Sequence, residues 1–152
     1  MKKGIVLILI LFLGFAAYGQ DASKVTEILE AEQLTRAQAS YIAVSWLDPA
    51  DESLDFAETA QIALEQGLLK DGVDVNEPIR LDELAGLCMK AWNVPGGLFY
   101  RMTKANRYAY KELVARQFLP SNGDPSFTVS GAEGLNVMYQ CMELKNPVLF
   151  EE

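Results

Sequence analysis

Leu34-Thr35-Arg36-Ala37-Gln38-Ala39 is the stretch on which the fold turns. Thr35 has the side chain of a helix N-cap, and Gln38 stands where a capping box needs its second member. Ala39, Ile42, Ala43 and Trp46 follow at helical spacing until Asp48-Pro49 stops the run. The pattern returns at Ile79-Arg80-Leu81-Asp82-Glu83-Leu84 and at Val129-Ser130-Gly131-Ala132-Glu133-Gly134, with offsets of 45 residues (34 to 79) and 50 residues (79 to 129). Self-similarity at this period is the mark of helix-loop-helix units that bury their apolar faces only by stacking on one another.

Outward from these three starts, each has a helix before it. Ser23 to Gln33 is amphipathic, with Val25, Ile28 and Leu29 on one side. Phe56 to Gln66 carries Phe56, Ala60, Ala63 and Leu64 on one face, and Gly67 suits the left-handed stop that ends a helix. Thr103 to Phe118 precedes the third start. Between these lie an acidic connector from Asp48 to Asp55, a loop from Lys70 to Pro78, the break Asn93-Val94-Pro95-Gly96-Gly97 and a turn-rich loop from Pro120 to Pro125. The second helices run from Arg80 to Trp92, with Leu84, Leu87, Cys88 and Ala91 inward, and from Ser130 to near Leu144, where Asn146-Pro147 ends the last. The expectation is an all-α chain of six helices in three pairs, the first pair shortened. Ile42, Leu87 and Val137, at matching offsets, are expected to be buried together.

The first 19 residues read as an export signal. Met1-Lys2-Lys3 is a positive start, Ile5 to Ala17 is an apolar run too short to span a bilayer, and Ala17-Tyr18-Gly19 supplies small residues for cleavage before Gln20. An uncleaved anchor is the alternative. The expected location is outside the cytoplasm, in the periplasm or on the cell envelope, with no stable membrane insertion after cleavage. Gln20 to Glu152 is the size of one ordinary domain.

Charge narrows the partners. Loss of Lys2 and Lys3 from 13 basic residues leaves 11 against 21 acidic ones, moving the formal charge from −8 to −10. Such a surface repels phosphate backbones, which excludes nucleic acid as a partner class, and its overall charge opposes anionic lipid head groups. The chain has no histidine, so Ser-His-Asp and Cys-His catalysis are excluded. The acids fall on connectors and helix starts rather than in a facing pair, and the expectation is a protein that is not an enzyme and uses no cofactor.

Asp71, Asp74, Asn76 and Glu77 form the densest oxygen cluster, but their spacing departs from a calcium-binding loop and they read as a solvated turn; no metal site is expected. Cys88 and Cys141, in corresponding second helices about one turn apart in register, read as buried small hydrophobes, with a disulfide as the open alternative.

The three starts resemble the S-layer homology module, a repeat of exported bacterial envelope proteins. The likeness rests on the Leu34 to Ala39 signature, on helices closing in Gly67-Leu68-Leu69 and Phe118-Leu119, and on Gly- and Pro-bearing loops, and spans about Ser23 to Glu143. It implies three repeats, about 23–50, 54–94 and 103–146, in a pseudo-threefold helical unit that binds polymers linked to peptidoglycan. It implies further that Arg36, at the family's signature arginine, holds an anionic glycan. Leu81 and Gly131 stand at the equivalent places, while Arg80 lies one residue earlier.

Two other candidates come from the residues themselves. Arg101, Lys104, Arg107, Lys111 and Arg116, interleaved with Tyr100, Tyr108 and Tyr110, make the one basic and aromatic stretch of an acidic chain, and Arg107 with Tyr108 suits a sugar ring bearing acidic groups. Tyr108 and Tyr110, two apart on a helix, cannot both face the core. The expected function is attachment to cell-wall glycan. The alternative is a periplasmic module that holds a segment of an envelope protein partner in a helical groove, marked by an exposed apolar patch.

Overall fold

The computed structural model describes residues 22–48 and 53–145. The expected export signal and the stops at Pro49 and Asn146-Pro147 lie outside them. The regular elements of the described residues are all α-helices, with no strand among them: α1 (22–30), α2 (Arg36–Leu47), α3 (Phe56–Glu65), α4 (Leu81–Ala91), α5 (Leu98–Thr103), α6 (Asn106–Ala115) and α7 (Gly131–Lys145). α2 packs on α3 and α4, α4 also on α6 and α7, and α5 on α6.

The starts of α2, α4 and α7 are tied together by backbone hydrogen bonds. Ile79 N–H donates to Leu34 O and Leu34 N–H to Val129 O, both at 2.8 Å, while Leu81 N–H reaches Phe127 O and Gly131 N–H reaches Ala31 O at the same length. Isolated antiparallel bridges join Thr35 to Pro78 and Arg80 to Thr128. Leu34, Ile79 and Val129, which precede the three starts, are all buried, so these paired backbone groups lie beside the core and satisfy one another there.

Each start is also closed locally by its third helical residue. The N–H of Thr35 donates to Gln38 Oε1 at 3.1 Å, that of Arg80 to Glu83 Oε2 at 3.0 Å, and that of Ser130 to Glu133 Oε2 at 3.1 Å. Thr35 Oγ1 and Ser130 Oγ return the favour by accepting from the N–H of Gln38 and Glu133, completing both expected capping boxes. Arg80 has no acceptor to return. Thr35→Ala and Ser130→Ala should therefore each cost about 1 kcal/mol in urea unfolding. Arg80→Ala should cost less than about half of that, because its half-exposed side chain makes only a surface pair with Asp82.

The inward face of α4 is as its spacing predicts: Leu84, Leu87, Cys88 and Ala91 are buried. α2 departs from its pattern. Trp46 is 38 % exposed and Ile42 only half-buried, so Leu87 and Val137 are buried without a fully buried Ile42, and Tyr41 and Val44 fill the core in its place. α2 is flanked by both α3 and α4, and its Ala- and Ser-rich surface leaves the small residues to set the buried side.

A second departure lies in the expected helix from Thr103 to Phe118, which is two helices. Thr103 Oγ1 donates to Phe99 O and accepts the N–H of Ala105, and Lys104 takes a left-handed turn with φ 53°. A side chain that satisfies the backbone locally competes with helix continuation. α6 ends at Ala115, and Gln117 then adopts φ 64° where Gly67 adopts φ 69° at the end of α3. A residue with a Cβ is disfavoured there and glycine is not. Gln117→Gly should raise stability by about 0.5 kcal/mol and Gly67→Gln should lower it by about as much or more, compared by urea midpoints at unchanged slope.

Candidate functional site

Arg36 opens α2, and every nitrogen of its guanidinium has a partner. Nε donates to Glu83 Oε2 at 3.2 Å, Nη2 to Glu83 Oε1 at 3.1 Å and Oε2 at 2.9 Å, and Nη1 to Asp74 O at 2.9 Å. The two side chains are 13 % and 16 % exposed. This two-pronged pair lies across the α2 and α4 starts, and its carboxylate is the same one that caps Arg80 N–H. An anion could take the Arg36 fork only by displacing Glu83.

Arg80 is paired with a different acid, with Nε 3.0 Å and Nη2 2.6 Å from the Asp82 carboxylate. Its guanidinium is held more basic than usual, first by the hydrogen bond to Asp82 and then by that carboxylate's charge. The Arg36 and Arg80 guanidinium groups are thus each paired with an acid, Glu83 and Asp82.

Arg107 and Tyr108 lie on the first turn of α6, in a different setting. Tyr108 stacks on Phe99 of α5, with ring centroids 5.5 Å apart and planes 17° from parallel, and Lys111 Nζ stands 5.8 Å from the Tyr108 ring. Tyr110 is buried, and its hydroxyl donates to Gly123 O at 2.8 Å. Tyr110 is thus in the core, while Tyr108 is half-buried at its edge. Arg101, Lys104, Arg107 and Lys111 are exposed, and none is in an ion pair with another described residue. Lys104 Nζ sits 4.7 Å from the centre of the Tyr100 ring.

α5 is held beside α6 by three contacts. Gly97 N–H donates to Glu112 Oε1 at 2.8 Å, Arg116 Nη2 donates to Pro95 O at 2.7 Å, and Tyr100 is buried to 1 % exposure. Because Tyr100 faces inward, Leu98, Phe99 and Met102 face out, at 66 %, 64 % and 73 % exposure. Sequence reasoning missed these three, since it ran the Gly96-Gly97 break on to Thr103. The signal was Leu98-Phe99-Tyr100-Arg101-Met102, an apolar run with a cation in it, directly after two glycines.

The acidic loop and the two cysteines are the other candidates from the sequence. Asp74 Oδ1 accepts the N–H of Asn76 at 2.9 Å, a local turn, and among the described residues no three His, Cys, Asp or Glu side chains are gathered as a metal would need. Cys88 and Cys141 are buried free thiols. The Cys88 thiol is pushed well up, first by burial and then by its neighbour Cys141, which disfavours the reactive thiolate. No helix of the described residues is long and apolar enough to cross a membrane. No protein-family model, curated protein or solved structure matches the chain.

Proposed function

We propose that this chain is an exported, non-catalytic helical module that attaches to an acidic component of the cell envelope, and that its binding face is α5 with the first turns of α6. The observation that carries this reading is the run of exposed cations without an ion pair, Arg101, Lys104, Arg107 and Lys111, on the two helices joined by the stack of exposed Phe99 on half-buried Tyr108, in an otherwise acidic protein. Arg36, the residue that the S-layer homology likeness points to, serves on this reading as a structural tie to Glu83.

The architecture we propose is three related helix-loop-helix units about a pseudo-threefold axis, the first shortened. It is supported by the three capping arrangements at Thr35, Arg80 and Ser130 and by the hydrogen bonds that run between successive starts. The matching left-handed residues Gly67 and Gln117, 50 apart like Ile79 and Val129, point the same way.

Glycan linked to peptidoglycan is one acidic envelope component that fits such a face. A partner segment of an envelope protein is the second reading, favoured by the exposed Leu98, Phe99 and Met102. The test is a pull-down of the chain from Gln20 onward on whole envelope fragments, at low and moderate salt. Arg107→Glu with Lys111→Glu should abolish retention, and Arg36→Ala should leave retention unchanged in the fraction that remains folded. Loss with Arg36→Ala alone, at intact helicity, would return the site to the α2 start.

A further inference from the structure

The three most exposed large apolar side chains among the described residues, Leu98, Phe99 and Met102, share one short helix and one side of it. They project from a turn that Tyr100 anchors inward, interleaved with Arg101 and followed by Lys104, and Phe99 stacks on Tyr108, which neighbours Arg107 in the chain and has Lys111 over its ring. From Arg101 to Arg116 the sequence has five basic residues and one acidic one, Glu112, and that carboxylate is occupied by Gly97 N–H. The rest of the chain is strongly acidic.

Each class of ligand asks for something different from this face. An acidic sugar polymer would use the cations and the Tyr108 ring, but it gives Leu98 and Met102 nothing to do. Their flexible aliphatic and thioether chains stand out from a short helix rather than lining a cleft around a ring. A bilayer surface uses both sets at once. Apolar side chains enter the boundary between head groups and acyl chains, while long cationic side chains stay at the level of the phosphates. The charge asymmetry adds orientation: an anionic surface repels the acidic body and attracts only this face.

We propose that α5 is a peripheral membrane-docking element for anionic phospholipid, in which Leu98, Phe99 and Met102 enter the interface while Arg101, Lys104, Arg107 and Lys111 hold lipid phosphates. The proposal rests on the reading of the α5 and α6 face as the binding face, and it names the ligand. One helical turn buries little apolar surface, so attachment is reversible and needs both the apolar and the cationic contribution. The acidic net charge of the whole chain opposes approach in general, but screening confines the electrostatics of exposed charges to about 8 to 10 Å at ordinary salt, so that with this face toward the bilayer the nearby cations outweigh the more distant acids.

The test uses the chain from Gln20 onward, which contains every described helix, in co-sedimentation with phosphatidylcholine vesicles with and without phosphatidylglycerol. The expected result is binding to the phosphatidylglycerol vesicles, weakening as salt rises, and little retention on pure phosphatidylcholine. Arg107→Glu with Lys111→Glu should weaken binding at least about twentyfold, since each lost cation near an anionic surface is worth roughly fivefold. Leu98→Asp with Met102→Asp should abolish it while helicity and melting temperature stay near the parent's, because both side chains are mostly exposed. A parallel arm uses purified sacculi carrying their attached polymers. Retention on sacculi but not on vesicles, lost with Arg107→Glu and Lys111→Glu, would overturn the lipid assignment and keep the binding face. Vesicle binding indifferent to all four substitutions would overturn both, as would retention on neither material.

Discussion

Gly131→Ala should detach α1 from the body of the protein. A Cβ built at Gly131 would lie 1.6 Å from the carbonyl oxygen of Ile28 and 2.7 Å from its carbon, and these are backbone atoms with no rotamer to escape into. Gly131 N–H also donates to Ala31 O at 2.8 Å, so the two segments are held at this separation from both sides. Relief requires the end of α1 to move, and Ile28, fully buried, would be pulled from the core with it. Overpacking of this kind costs about 3 kcal/mol or more, a fall in melting temperature of roughly 10 °C for a domain of this size. Hydrogen exchange should show the loss first in α1, with α4 and α6 still protected. A melting temperature within about 2 °C of the parent would mean that α1 docks elsewhere than at Gly131.

Glu83→Ala is expected to be the next most damaging of the changes considered. One carboxylate holds the Arg36 fork and caps Arg80 N–H, so its removal strands a guanidinium that is 13 % exposed with only Asp74 O left to it. A surface pair is worth under about 1 kcal/mol, and breaking a buried one costs about 3 to 5. This pair is mostly buried but open at one side, which puts the loss at about 2 to 3 kcal/mol. Glu83→Gln should cost about half as much: an amide oxygen still caps Arg80, as that of Gln38 caps Thr35, but the charge is gone. The double variant Arg36→Ala/Glu83→Ala should be less damaging than the two single losses added together, because the second change removes the stranded charge. Full additivity in urea unfolding would show that the two residues do not stabilise α2 against α4 through each other.

The outcome at Arg36 is instructive about what kinds of inference a sequence supports. The position could be located, at the first turn of a helix behind an N-cap, from local pattern alone. Its partner could not, because Glu83 is 47 residues away and becomes a neighbour only when the second start packs beside the first. The same holds for the α5 face. Its residues are written plainly in the chain, but whether Leu98, Phe99 and Met102 turn inward or outward is decided by Tyr100 winning the buried place, and that is a contest between side chains over space.

Capping chemistry, helix stops and helical period act over a few residues, so the sequence by itself determined the all-α character of the described residues, the starts of α2, α4 and α7, and the left-handed end at Gly67. Tertiary structure alone decided which face of α2 is buried, where the helix before the third start breaks, which acid occupies Arg36 and which apolar residues are left in solvent. Those outcomes depend on the sum of many contacts between segments far apart in the chain, where alternatives that look alike locally differ in the surface they bury.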